Sequence, residues 1–270
     1  MAKENPLASN LTLEQQKNLF GNAYLNMLWH CPTDQRFPYW VHLPDCYYDE
    51  KDPHYKLLVI IHGTGCAVED YVRHAKELAD RDHVAPLFPG GLIQRDDFNS
   101  YKLLSCDGVR YDQILLDMID DMAKRYPGVE TDKFFLFGHS GGGQFVNRFL
   151  FAHPEKLRAC AIGAPGRPTF LNPDEDYFWG TRDFKNYFGH DVDLAAVQKV
   201  PVLVIVGEND TKFIGDSPYG DNRVARMKSL QKNLQDHGVH TELTILPGFA
   251  HEGGEKERVQ AAQHFFEAYL

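Results

Sequence analysis

The run Phe134-Phe-Leu-Phe-Gly-His-Ser140-Gly-Gly-Gly constrains the fold of this 270-residue chain more than any other. Phe134 to Phe137 read as a short buried strand, Gln144 to Phe151 resume apolar residues at helical spacing, and Gly138-His-Ser140-Gly-Gly142 must turn the chain between them. A strand that empties directly into a helix leaves the residue at the bend, Ser140, projecting clear of both elements. In so sharp a turn, side chains at Gly138 or Gly142 would collide with neighbouring segments, which accounts for the glycines. At the mouth of the helix the Gly141 N–H has no intrahelical acceptor, so it faces a negative charge forming beside the Ser140 hydroxyl.

The same alternation runs through the rest of the chain. Strand-like runs at Leu57 to Ile61, Val84 to Phe88, Lys133 to Phe137, Arg158 to Gly163, Pro201 to Val206 and Thr241 to Leu246 are separated by helical patterns. These patterns cover Val68 to Asp80, Tyr111 to Tyr126, Gly141 to His153, Asn222 to His237 and Glu255 to Tyr269. Buried strands alternating with helices predict an α/β fold with a mostly parallel sheet. Periodicity is clearest after Asn222, where Val224, Met227, Leu230 and Leu234 share a face and Gly238 stops the helix. Pro38 to Leu43 alternates Tyr39, Val41 and Leu43 with Trp40 and His42, the pattern of an antiparallel edge strand. Ahead of it, Thr12-Leu-Glu-Gln15 is a capping box that opens an amphipathic helix carrying Leu13, Phe20, Tyr24 and Met27. The expected organisation is a helical extension over 1–35 and one α/β domain over 36–270.

One stretch breaks the rhythm. Ala164 to Lys199 lies between two predicted strands, is too long for a simple connection, and carries seven aromatics including Phe184 and Phe188. It reads as a small cap. Its rings either wall a substrate pocket, with Phe170, Tyr177, Phe178, Trp179 and Tyr187 as the contacting residues, or staple the insertion to the sheet or form an oligomer contact.

Composition excludes several classes of function. With a formal net charge of −10 the chain has no basic field to gather phosphates, so neither nucleic acid nor an anionic membrane is an expected partner. No apolar run approaches a membrane span and the Met-Ala-Lys-Glu-Asn-Pro start is polar, which predicts a cytoplasmic protein. The five cysteines (Cys31, Cys46, Cys66, Cys106 and Cys160) contain no C-x-x-C pair and fit neither a disulfide framework nor a zinc site. Asp117, Asp120 and Asp121 sit in a helical pattern beside Lys124 and Arg125 and describe a solvated face; like Asp96-Asp97, they are not read as metal ligands. Neither a lysine-bearing phosphate loop nor a nucleotide-binding glycine motif occurs in the right context, and no metal or cofactor is expected.

A serine hydroxyl is a weak nucleophile near neutral pH and needs a base within hydrogen-bond reach and an acid to orient that base. Gly207-Glu-Asn-Asp210 succeeds the strand at Val202 to Val206, and Pro247-Gly-Phe-Ala-His251 succeeds Thr241 to Leu246. Each lies on the edge where open parallel sheets gather ligands. Glu208 shares the turn with Asp210, and Asp216 and Asp221 lie beyond it; a longer carboxylate would displace the imidazole, so Asp210 is the expected orienter. Among thirteen histidines, His237, His240 and His264 fall in or beside helices, whereas His251 stands in a glycine-flanked loop. After the first buried strand, His62-Gly-Thr-Gly65-Cys66 supplies flexible backbone for a second oxyanion donor, from Thr64 or from Gly65. His139 is expected to pack, partly buried, and His62 to anchor its own loop.

Taken in order, His62-Gly-Thr-Gly65, Gly138-His-Ser140-Gly-Gly142, Gly207-Glu-Asn-Asp210 and Pro247-Gly-Phe-Ala-His251 resemble the motifs of the α/β-hydrolases. The resemblance spans Pro38 to the last helix. It implies an eight-stranded, mostly parallel sheet with helices on both faces and a cap at Ala164 to Lys199. It also implies roles: Ser140 as nucleophile, His251 as general base and then acid, Asp210 as its orienter, and the Gly141 N–H in the oxyanion hole. The His-Gly-x-Gly loop with a short cap is similar to esterases of the polyester-depolymerase and dienelactone-hydrolase kind. The expected activity is cleavage of a carboxylic ester, lactone or related acyl bond of a small molecule through an acyl-enzyme. The alternatives are a serine peptidase or amidase of the same fold and a receptor that binds without turnover. Acyl preference and oligomeric state stay open.

Overall fold

The computed structural model describes residues 26–44, 46–65, 68–82, 84–90 and 101–270. In chain order, β1 (Asn26–His30), β2 (Pro38–His42) and β3 (Tyr55–Ile61) precede α1 (Val68–Asp82) and β4 (Val84–Pro89). A short hairpin of β5 (Ser105–Cys106) and β6 (Val109–Arg110) leads into α2 (Tyr111–Arg125), β7 (Val129–His139), α3 (Gly141–Ala152) and β8 (Leu157–Gly163). Two short helices follow, α4 (Phe184–Phe188) and α5 (Leu194–Val197), and then β9 (Val202–Gly207), α6 (Arg223–Asp236), β10 (Thr241–Leu246) and α7 (Glu255–Glu267).

Among the described residues eight strands form one sheet in the order β1-β2-β4-β3-β7-β8-β9-β10. β2 runs antiparallel to both β1 and β4, and every pair from β4 to β10 is parallel. Successive side chains of a strand point to opposite faces, and here both faces are apolar. Leu57, Val59 and Ile61 of β3 enter one core while Leu58 and Ile60 enter the other; Phe134 and Leu136 of β7 part from Phe135 and Phe137 in the same way. The first core is closed by Met118 of α2, Phe149 of α3 and Leu230 of α6, the second by Tyr71 of α1 and Phe266 of α7. Helices therefore cover both faces, as expected, and none among the described residues is long and apolar enough to cross a membrane.

The N-terminal expectations need correction. β2 is not an edge strand, because β1 pairs along it from Asn26↔His42 to His30↔Pro38. The sheet therefore begins ahead of residue 36, and Met27, expected on a helix, lies in β1. Five residues are too few for periodicity to separate strand from helix, and pairing along β2 decides between them. Residues 1–25 of the expected helical extension lie outside the described residues, as do Asp96 and Asp97. Asp121 is not solvated either: it is buried, accepting from Tyr39 Oη at 2.5 Å and Arg125 Nε at 2.8 Å.

The connection from β8 to β9 is stapled down by its own rings. Phe170 is fully buried and stacks on Tyr219 with 3.5 Å between centroids, and Tyr177, also buried, donates from Oη to the Leu103 carbonyl at 2.8 Å while packing on Phe184 and Phe188. Phe170 and Tyr177 thus serve packing, not a pocket wall, because large rings gain most from complete burial. Phe178, Trp179 and Tyr187 are half-buried against the same core. Beneath them Arg148 of α3 is wholly buried, donating to Thr169 Oγ1 (3.0 Å), the Arg167 carbonyl (2.9 Å), Gln144 Oε1 (3.2 Å) and the Lys102 carbonyl. Burial lowers its pKa to about 10, so the cation persists at neutral pH, satisfied by neutral oxygens.

Candidate active site

β7 ends at His139 and α3 begins at Gly141, so Ser140 alone makes the turn. Its φ of 56° lies in the left-handed region, which a serine occupies only where its surroundings impose it. Two backbone bonds do so: Ser140 N–H donates to the Gly163 carbonyl at 2.8 Å, and Gln144 N–H donates to the Ser140 carbonyl at 3.1 Å. The glycines permit the approach. A Cβ on Gly138 would stand 2.5 Å from the Gly142 carbonyl, and one on Gly142 only 2.2 Å from the Ile61 oxygen. The Ser140 side chain makes no capping bond to α3, which leaves Oγ for another partner.

That partner is His251. Its Nε2 lies 3.0 Å from Ser140 Oγ, and its Nδ1 lies 2.7 Å from Asp210 Oδ2. A carboxylate only accepts, so Nδ1 carries the proton and Nε2 turns its lone pair to the hydroxyl. Asp210 is 1% exposed, and Arg223 Nη1 stands 3.4 Å from its other oxygen, Oδ1. The loops after β9 and β10 are laced together: Asn209 N–H donates to the Phe249 carbonyl at 2.8 Å, and Gly248 N–H donates to Glu208 Oε2 at 2.9 Å. Glu208, the rival carboxylate, is thus spent on the lacing. The parallel register makes this meeting possible, for Ile61↔Gly138, His139↔Gly163, Gly163↔Ile205 and Leu246↔Gly207 bring five strand ends to one edge.

The His62 loop closes the site from β3. A Cβ on Gly63 would stand 3.4 Å from the His139 carbonyl, and one on Gly141 would stand 2.9 Å from Thr64 Oγ1, so Thr64 lies against the residue that follows Ser140. Gly65 is exposed with open space around it, and Cys66 lies outside the described residues. His62 does anchor its loop, donating from Nδ1 to the Gly63 carbonyl at 2.7 Å, while Tyr101 Oη donates to the His62 carbonyl at 3.1 Å. His139 is 7% exposed and bonds from Nε2 to the His251 main chain. Tyr101, Arg223 and Arg258 are the neighbours that the sequence leaves unmarked. The two arginines lie in the first turns of their helices, where a charged residue reads as solvated, and no local pattern marks their partners in the preceding loops.

No protein-family model matches the chain, and no curated protein matches it. Solved structures do match its fold. A poly(3-hydroxybutyrate) depolymerase from Bordetella parapertussis superposes with a TM-score of 0.72 at 19% identity, over 97% of this chain and 96% of that one. Poly(aspartic acid) hydrolase-1 from Sphingomonas sp. KT-1 gives 0.70 at 20% identity, over 88% and 96%. An S-formylglutathione hydrolase from Agrobacterium tumefaciens gives 0.61 at 14% identity, over 90% and 93%. At these identities the likeness is one of fold, and the chain has the α/β-hydrolase fold.

Proposed function

We propose that this chain is a serine hydrolase that cleaves a carboxylic ester or related acyl bond of a small molecule. One observation carries the reading: two hydrogen bonds in series, Asp210 to His251 at 2.7 Å and His251 to Ser140 at 3.0 Å, end on a serine held at φ 56° at a helix mouth. In the forward step Ser140 Oγ attacks the substrate carbonyl while His251 Nε2 takes its proton, and the Asp210 carboxylate stabilises the imidazolium. The oxyanion is met by the Gly141 N–H and by a second donor from the His62 loop, from Thr64 or from Gly65. The imidazolium then protonates the leaving group, and a water activated by His251 releases the acyl group from Ser140. Fold neighbours named as a depolymerase and as hydrolases support acyl-bond chemistry. In this reading residues 164–199 are the cap of a single catalytic domain, and the enzyme works in the cytoplasm.

A fluorophosphonate probe followed by mapping of the adduct tests the proposal, with short nitrophenyl esters as substrates. A single adduct on Ser140 and steady turnover of the esters are expected. An adduct elsewhere overturns the assignment. Turnover of aminoacyl arylamides alone makes the chain a peptidase, and stoichiometric labelling without a steady state makes it a receptor.

A further inference from the structure

His139 takes no part in the proton relay, yet it is tied to it. Its Nε2 stands 3.1 Å from the main-chain carbonyl of His251, and the two imidazole rings lie 4.8 Å apart. A carbonyl only accepts, so Nε2 carries the proton. Burial, aided by the charge of nearby Arg258, holds the His139 pKa well below the usual histidine range, which keeps the ring a neutral donor. The same carbonyl accepts a second bond from Arg258 Nη2 at 2.9 Å, and Nη2 also reaches the Ala250 carbonyl at 2.9 Å. Arg258 is fully buried, and among the described residues the carboxylate oxygen that it faces, Glu255 Oε1, is 3.9 Å away.

The ends of the His139 bond give it its importance. His139 directly precedes Ser140, and the acceptor belongs to His251 itself, so one hydrogen bond joins the side chain of the residue before the serine to the main chain of the imidazole-bearing residue. The loop carrying His251 turns at Gly248, Gly253 and Gly254, which adopt φ of 78°, 73° and 76°. We propose that His139, backed by Arg258, is a positioning residue that fixes the separation of Ser140 and His251. This rests on reading those two residues as nucleophile and base.

The rate at which the fluorophosphonate probe labels Ser140 reports nucleophile activation without a known substrate. His139→Gln keeps an N–H at similar reach, while His139→Leu and His139→Phe remove it; the phenylalanine keeps the ring volume and carries the comparison should the leucine variant not fold. Labelling is expected to slow roughly 10- to 100-fold in the leucine and phenylalanine variants and to stay within about 3-fold of the parent in the glutamine variant. Parent-like rates in the variants without a donor, or an equal loss in glutamine and phenylalanine, overturn the proposal. A parent protein that takes no label at Ser140 instead removes the functional reading and the positioning role with it, so the two failures are distinct.

Discussion

Arg223 Nη1 lies 3.4 Å from Asp210 Oδ1, the carboxylate oxygen that His251 leaves free. Asp210 is 1% exposed, and a buried carboxylate held by one neutral imidazole gains from a positively charged partner. Arg223 is delivered by the first turn of α6, whose start is set by Asn222 accepting from the Ala225 N–H at 2.9 Å. Arg223→Gln is expected to lower turnover roughly 3- to 10-fold, while Asp210→Asn, which disturbs the imidazole directly, costs on the order of 10⁴-fold. Steady-state kinetics on one ester separates the two; equal losses would place Arg223 inside the relay.

Ser140→Ala and His251→Ala remove the proposed nucleophile and base. Each is expected to lower turnover by roughly 10⁴- to 10⁶-fold, and the double variant by little more than either alone, because the pair acts as one unit. Circular dichroism should show the fold unchanged. A folded Ser140→Ala protein that keeps most of its activity refutes the mechanism.

The glycines of the turn differ from those of the neighbouring loop. A methyl at Gly142 would meet the Ile61 carbonyl oxygen at 2.2 Å and that of His62 at 2.8 Å, and backbone on both sides cannot yield cheaply. One at Gly65 meets nothing within 4 Å. Gly142→Ala is therefore expected to cost about 3 kcal/mol in urea unfolding, the upper range of overpacking, whereas Gly65→Ala should stay within about 0.5 kcal/mol of the parent. Comparable effects at the two positions would contradict the packing around Ser140.

This contrast marks how far the chain's pattern speaks for itself. Ser140 and Asp210 each follow a continuous apolar run and His251 follows the mixed run Thr241 to Leu246, and parallel packing carries the ends of such strands to one edge, so their meeting is legible from order alone. β7 is longer than its apolar stretch suggests because its polar first half, Val129-Glu-Thr-Asp-Lys, is held by Tyr55↔Val129 pairing. Phe170 and Tyr177 show a different limit: aromatic content says that rings must be covered, not whether a substrate or the protein covers them. Arg223 and Arg258 are the least legible: a charged residue in the first turn of a helix reads as solvated, although their partners, a carboxylate and two carbonyls, lie in the loops just upstream.

Away from the site, fully buried Asp112 accepts from Arg110 Nε and Nη2 at 2.9 and 2.6 Å and from His153 Nε2 at 2.7 Å. Burial pushes its carboxyl pKa up, but the bonds from His153 and Arg110 outweigh this and hold it down to about 2. A carboxyl whose folded pKa is depressed adds stability that is complete above its unfolded value and is lost as pH falls through the folded one. The difference corresponds to about 2 kcal/mol at neutral pH. Arg110 also lies 5.2 Å over the Phe188 ring, so the same carboxylate steadies α4. Asp112→Asn is expected to lose roughly this amount in urea unfolding at about pH 7 and pH 5, with the gap to the parent closing from about pH 4 downward. A gap that stays constant over that range would assign the loss to packing, because only the charged form of Asp112 distinguishes the two proteins by pH.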